Sequence, residues 1–469
     1  MIVIGSMIGS GIFIVSADIA RTVGSPGYLL LVWFITGGIT IIGALSYGEL
    51  AGMMPHAGGQ YVYLREAYNP LIGFLYGWTL FLVIQTGTIA AVAVAFSKFT
   101  AVFLPEFHEG TIAFSVGGIS VTNAQLLSIS SIALLTYVNS RGLHGGRIIQ
   151  NLFTIAKTTA LLALIVLGIA IGRNTHAIEL NFASLWHASW IHLEGREIGT
   201  IEQLSGLGLL AAIGVAMVGS LFSSDAWNNI TFTAGEVVNP KKNIPLSLAF
   251  GTGAVTLLYL LANISYLLVL PINGTPDGAD VIARGIQFAA DDRVGTAAAS
   301  AIFGAPGVFI MAALIMISTF GCNNGLILAG ARVYYAMAKD GLFFKRVGGL
   351  NQKSVPGLAL AIQGIWASAL CLSGTYGDLL DYVIFAVLVF YILTVAGIFI
   401  LRRKRPDADR PYKAFGYPII PGIYILAAAA ICVDLLIFKP TYTWPGVVIV
   451  IIGIPAYKVW RWLDQRTPR

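Results

Sequence analysis

Gly5-Ser6-Met7-Ile8-Gly9-Ser10-Gly11-Ile12-Phe13 packs three glycines and two serines into the middle of the first long apolar run of the chain. Glycine costs about 1 kcal/mol relative to alanine inside a helix, so so dense a cluster predicts a helix that unwinds locally. A small-residue packing face is the alternative, but Gly9-Ser10-Gly11 is contiguous rather than spaced by a helical turn. An unwound stretch frees backbone N–H groups at the start of the outer half-helix, where the helix dipole also favours an anion. A carboxylate suits that position.

The surroundings are those of a membrane protein. The 469 residues are 57% hydrophobic and 11% charged, and the mean hydropathy is +0.80, a balance no soluble core of this length needs. Charge-free stretches long enough to cross a hydrocarbon core of about 30 Å recur from end to end. We place spans near 1–17, 28–52, 71–103, 122–139, 148–172, 206–236, 247–270, 301–337, 357–373, 379–401, 419–437 and 443–461. The expected fold is therefore an all-α membrane protein of twelve transmembrane helices in one domain. No cleavable signal peptide is expected, because the opening apolar run leads straight into glycine-rich sequence.

With the amino terminus inside, Arg65, Arg141, Lys241, Lys242, the cluster Arg402 to Lys413 and the tail Lys458 to Arg469 face the cytoplasm. The outer loops keep few bases, Arg173 and Arg196 among them, and most of the acids. This positive-inside asymmetry explains the net charge of +6 without a nucleic-acid partner and puts both termini in the cytoplasm of a multi-pass cell-membrane protein. Cys322, Cys371 and Cys432 lie in apolar spans, and all six histidines, His144 included, lie in connecting segments. Neither a disulfide framework nor a metal or cofactor site is expected.

The sixth span is interrupted in different residues: Gly219-Ser220-Leu221-Phe222-Ser223-Ser224-Asp225-Ala226-Trp227-Asn228-Asn229. Ser, Asp and Asn favour local side-chain bonds to the backbone over helix continuation. An acid at this depth costs about 2.5 to 3.5 kcal/mol on insertion scales, so Asp225 faces an aqueous cavity or a partner. Breaks five spans apart are what an inverted 5+5 repeat produces, with 1–172 and 206–401 as the repeats and 419–461 as two accessory helices. The fifth span adds Lys157, some 13 Å deep by helical rise. These three features converge on the midplane.

In this order, Ile8-Gly9-Ser10-Gly11-Ile12-Phe13, Gly43 to Leu50, Gly58-Gly59, Asp225-Ala226-Trp227-Asn228 with Glu236 and Asn239-Pro240, Ser318-Thr319-Phe320-Gly321 and Asn324-Gly325 with Arg332 resemble the amino acid-polyamine-organocation superfamily, and most its L-type amino acid transporter branch. The resemblance implies the leucine-transporter (LeuT) fold and an amino acid held between the first and sixth helices. The substrate carboxylate would meet the amides of Ser10 and Gly11, in the stretch Met7, Ile8, Gly9, Ser10, Gly11; its ammonium would meet carbonyls of Met7, Phe222 and Asp225, beside Ser223. Phe222 would serve as an outer gate, with a simple packing aromatic as the alternative. Lys157 matches the branch's fifth-helix lysine, which stands where sodium-coupled relatives of the fold bind sodium, with Ser318 and Thr319 as neighbours.

Sodium-independent exchange of small or medium neutral L-amino acids is the function implied, with a cationic, mixed or polyamine transporter as the alternative and a membrane amino acid sensor as a remoter one. Bulkier residues at Gly9 or Gly11 are expected to fill the space the carboxylate needs. Three departures from the family pattern matter. The inner half of the first helix is short, which suggests a shortened start. The loop from Pro105 to Val121 lacks the cysteine that light chains of heteromeric members use, so no disulfide-linked heavy chain is expected and a free-standing, prokaryotic type of protein is implied. Asp225 is acidic where large-neutral specialists are small and neutral. An enzyme is disfavoured by the absence of H-E-x-x-H and G-x-S-x-G motifs, and a channel by the absence of a ring of like residues.

Overall fold

A computed structural model of the chain describes residues 1–117, 119–142, 146–195 and 197–466. His144, Arg196 and the tail from 467 onward, which entered the topological reading, lie outside the described residues. Among the described residues nine helices are individually long and apolar enough to span a bilayer. The interrupted first span, the fourth (Asn123–Ser140) and the ninth (Gly357–Leu370) bring the number to the expected twelve. A helical solution is forced by the medium, since hydrocarbon offers backbone N–H and C=O groups no other partner.

The helix ends follow local chemistry. Asn69 before Pro70 caps the third span, its side chain accepting from the Ile72 amide. Capping boxes start the fourth span at Thr122/Gln125 and the tenth (Tyr376–Lys404) at Thr375/Asp378. The seventh span starts at Pro240, seven residues before the expected 247, because Asn239 takes a left-handed conformation and hands the chain to a proline whose fixed φ suits a first turn. The first span likewise runs past 17, to Val23, where Gly24 at φ 64° ends it. The eighth span runs Ala305–Lys339, and its expected start at 301 falls in a separate short helix, Val294–Phe303, cut off by Gly304.

Twelve alternating spans put both termini at one end of the bundle. The opposite end carries two β-hairpins, β1 (Ile112–Val116) with β2 (Ile119–Thr122) and β3 (Ser189–Glu194) with β4 (Glu197–Gln203). Ion pairs close both ends. On the terminus side, buried Glu49 accepts from Arg402 at 2.9 and 2.7 Å and from the Ala414 amide at 2.7 Å, while Arg332 pairs with Glu236 at 2.5 Å. On the hairpin side Arg21 of the first span holds Asp292 at 2.7 Å and the Gln287 carbonyl at 2.6 Å.

Candidate functional site

The first span is helical over Ile2–Met7, extended at Ile8, a 3-10 turn over Gly11–Phe13, and helical again from Ser16. A helix that stops in mid-membrane leaves its last carbonyls unpaired. Here each is taken up by a side chain from a neighbouring span. The Lys157 ammonium donates to the Gly5 carbonyl, the Cys322 thiol to that of Ser6 at 3.3 Å and the Tyr259 hydroxyl to that of Met7 at 2.9 Å. The Ser318 hydroxyl lies 3.5 and 3.4 Å from the carbonyls of Ile8 and Gly9. A lysine charge at the carbonyl end of this half-helix also matches the sign of its dipole. On the other side of the break, among the described residues, the amides of Gly9, Ser10 and Gly11 donate to no protein acceptor.

The sixth span runs Gly206–Ser223 and resumes at Asn229, with Ala226 at φ 63° in the gap. Tyr259 of the seventh span ties the two breaks together, because its hydroxyl reaches the Ser223 carbonyl at 3.0 Å as well as that of Met7. The helices also touch through small residues. A Cβ at Gly11 would lie 2.1 Å from Ser223 Oγ, and one at Gly219 would lie 2.8 Å from Val15 Cβ. This corrects the expected reason for the glycines: Gly11 turns its bare face to the sixth helix, not to carboxylate space, and Gly9 faces Cys322 Sγ at 3.3 Å. The packing-face alternative thus holds for one side of the same segment whose amides point elsewhere.

Between the breaks lies a small cavity lined by Met7, Gly9, Ser10, Gly11, Phe222, Ser223 and Asp225, together with Ser6, Thr88, Val92, Ala226, Cys322 and Leu326. Buried Phe222 meets the Tyr376 ring edge-on at 6.1 Å, toward the hairpin side. On the terminus side a second small cavity shares Thr88, Asp225, Ala226 and Leu326 with the first. Its other walls include Gln60, Gln85, Asn228, Asn229, Tyr76 and Tyr391. Asp225 stands at the junction and accepts from the Tyr391 hydroxyl at 2.5 Å. A π-helical turn at Leu80–Ile84 in the third span flanks this second space, a distortion that recurs at functional sites.

Most of the residues singled out in the sequence meet here, with three differences. Ile8 is fully buried and does not line the cavity. The Thr319 hydroxyl turns back to Ile315 and Met316 of its own helix, both at 3.0 Å, so of the Ser318-Thr319 pair only Ser318 approaches the first span. The Met7 carbonyl, expected to meet an ammonium, already accepts from Tyr259, and that of Phe222 accepts from the Asp225 amide at 3.2 Å. Tyr259, Cys322, Tyr376 and Tyr391 were not picked out; each is an ordinary apolar-span residue until its partner is known. Groups able to hold a metal ion are absent among the described residues.

A family model described as amino acid permease matches residues 1–456. The b(0,+)-type amino acid transporter 1 of Oryctolagus cuniculus is similar at 29% identity over 415 residues, 88% of this chain and 76% of that protein. The large neutral amino acids transporter small subunit 2 of Homo sapiens is similar at 29% over 463 residues, 97% of this chain and 78% of that protein. The human b(0,+)-type amino acid transporter 1 is 26% identical over 455 residues, covering 96% and 84%.

Proposed function

The chain belongs to the amino acid permease family and is an amino acid transporter, and from that premise we propose that it exchanges small or medium neutral L-amino acids across the cell membrane without sodium. The observation that carries this reading is the cavity between two broken helices with the free amides of Gly9, Ser10 and Gly11 beside it. Those amides stand at the start of the outer half-helix, where a carboxylate is favoured. The ammonium is left to Asp225 and to second lone pairs on the carbonyls of Met7 and Phe222. Lys157 supplies a fixed positive charge at the inner half-helix, the role a sodium ion plays in coupled relatives of the fold. Phe222 closes the site toward the hairpins.

In this reading 1–172 and 206–401 are the two inverted five-helix repeats, each with its first helix broken at the site, and 419–461 are two accessory helices. Basic residues on the terminus side support cytoplasmic termini. No disulfide-linked heavy chain takes part, since Cys322, Cys371 and Cys432 are all buried. The test is counterflow in proteoliposomes: labelled neutral amino acid is expected to enter vesicles preloaded with unlabelled amino acid, equally well with and without sodium. Robust uptake into empty vesicles would remove the exchange part, and binding without counterflow would leave a sensor.

A second reading has its own observation. The space on the terminus side of Asp225 offers amide groups of Gln60, Gln85, Asn228 and Asn229 and the rings of Tyr76 and Tyr391 around one carboxylate, a lining that also suits a cationic side chain. Asp225→Asn keeps an acceptor for the Tyr391 hydroxyl while removing the charge. We expect it to spare part of neutral exchange and to lower arginine, lysine or ornithine transport by about 1.5 to 3 kcal/mol more, the worth of a charge-assisted hydrogen bond. Equal losses for both substrate classes in parallel uptake assays would show that Asp225 does not select on side-chain charge.

A further inference from the structure

Tyr376 opens the tenth span, directly after the connection on the hairpin side, and its backbone is fixed there by the Thr375/Asp378 capping box. It is 4% exposed. Its hydroxyl lies 3.2 Å from Ser10 Oγ inside the break of the first span, and its ring receives Phe222 of the sixth span edge-on, centroids 6.1 Å apart at 83°. Ser10 and Phe222 both line the cavity, whereas Tyr376 does not. It stands behind them on the outer side. The first, sixth and tenth spans therefore meet at one phenol on the outer side of the cavity, through one hydrogen bond and one ring contact. The Ser10 residue held by that bond is also one whose amide is free toward the cavity.

We propose that Tyr376 is the latch of the outer gate: its hydroxyl locks Ser10 and its ring backs Phe222, so that the outer side stays shut only while all three are joined. This rests on the transport reading above, but it concerns a gating equilibrium that exists without substrate. A carboxylate drawn to the Ser10 amide settles the same residue the latch grips, which links occupancy of the site to closure. Tyr376 is a positioning residue, since it acts through Ser10 and Phe222 and not on the substrate itself.

Cys322 supplies the readout, because its thiol lines the cavity beneath the latch. With Cys371 and Cys432 replaced by alanine, a small impermeant methanethiosulfonate applied to right-side-out vesicles reaches Cys322 only when the outer gate opens. In substrate-free Tyr376→Phe the labelling rate is expected to rise about three- to tenfold, the range set by the net worth of one hydrogen bond. Ser10→Ala is expected to raise it by a similar factor, and the double variant by no more than either alone. Turnover falls while the external KM does not rise, as a bias toward the outward-open state requires. An unchanged labelling rate in Tyr376→Phe, or additive increases in the double variant, overturns the latch. Failure of wild-type counterflow with these labelling changes intact would instead overturn the transport reading.

Discussion

Gly11→Ala is expected to abolish exchange in protein that still inserts, and Gly11→Val to lower thermal stability as well. The added Cβ would lie 2.1 Å from Ser223 Oγ, 2.8 Å from its Cβ and 3.0 Å from its Cα. The last of these is main chain, so rotating the serine side chain does not relieve the clash. Overpacking of this kind costs about 1 to 3 kcal/mol, and here it falls on the contact between the two interrupted helices. Their separation sets both the width of the cavity and the reach of Tyr259 to the carbonyls of Met7 and Ser223. The test pairs Gly11→Ala with Ser223→Gly, which removes the two closest atoms. Partial return of counterflow in the double variant is expected, together with recovery of the unfolding midpoint. Gly9→Ala should be milder, its nearest atom being the Cys322 sulfur at 3.3 Å. Wild-type counterflow in Gly11→Ala, or a larger loss in Gly9→Ala, would show that the glycines serve something other than this crossing.

Both breaks were legible because they come from local chemistry. Glycine weakens a helix wherever it sits, and a run of Ser, Asp and Asn offers the backbone competing partners within two or three residues. The depth of Lys157 was legible for a similar reason, since depth follows from counting residues along a helix. Which atom answers each of these features was not. Ser318 and Thr319 differ by about 100° of helix rotation; only coordinates decide which of the two hydroxyls faces the first span. Tyr259 looks like any aromatic in an apolar span until two carbonyls, one from each broken helix, are found within 3.0 Å of its hydroxyl. The sixth-span run containing Gly219 and Ser223 reads in sequence only as a break, and nothing in it says that Val15 and Gly11 are the opposite wall. The start of the seventh span was missed through Asn239-Pro240, two residues with the right chemistry to begin a helix.

The second large effect concerns the charge. Lys157→Ala is expected to slow exchange by tenfold or more while weakening substrate binding much less. The ammonium is 1% exposed and holds the Gly5 carbonyl, one turn below the break. Deleting it leaves that carbonyl unpaired in a dry interior, at about 1 to 3 kcal/mol, and empties the volume of a long side chain. The carbonyls nearer the cavity keep their own partners, since Cys322, Tyr259 and Ser318 cover Ser6, Met7, Ile8 and Gly9. The free amides of Ser10 and Gly11 are therefore left in place. What is lost is the tie between the fifth span and the inner half of the first, which the proposed exchange moves together as the terminus side opens and closes. The defect belongs in turnover and not in affinity. Binding of a labelled substrate to detergent-solubilised protein, set beside counterflow rates from the same preparation, separates the two. Unchanged turnover in Lys157→Ala would sink this proposed role, and so would sodium-dependent uptake by the wild type.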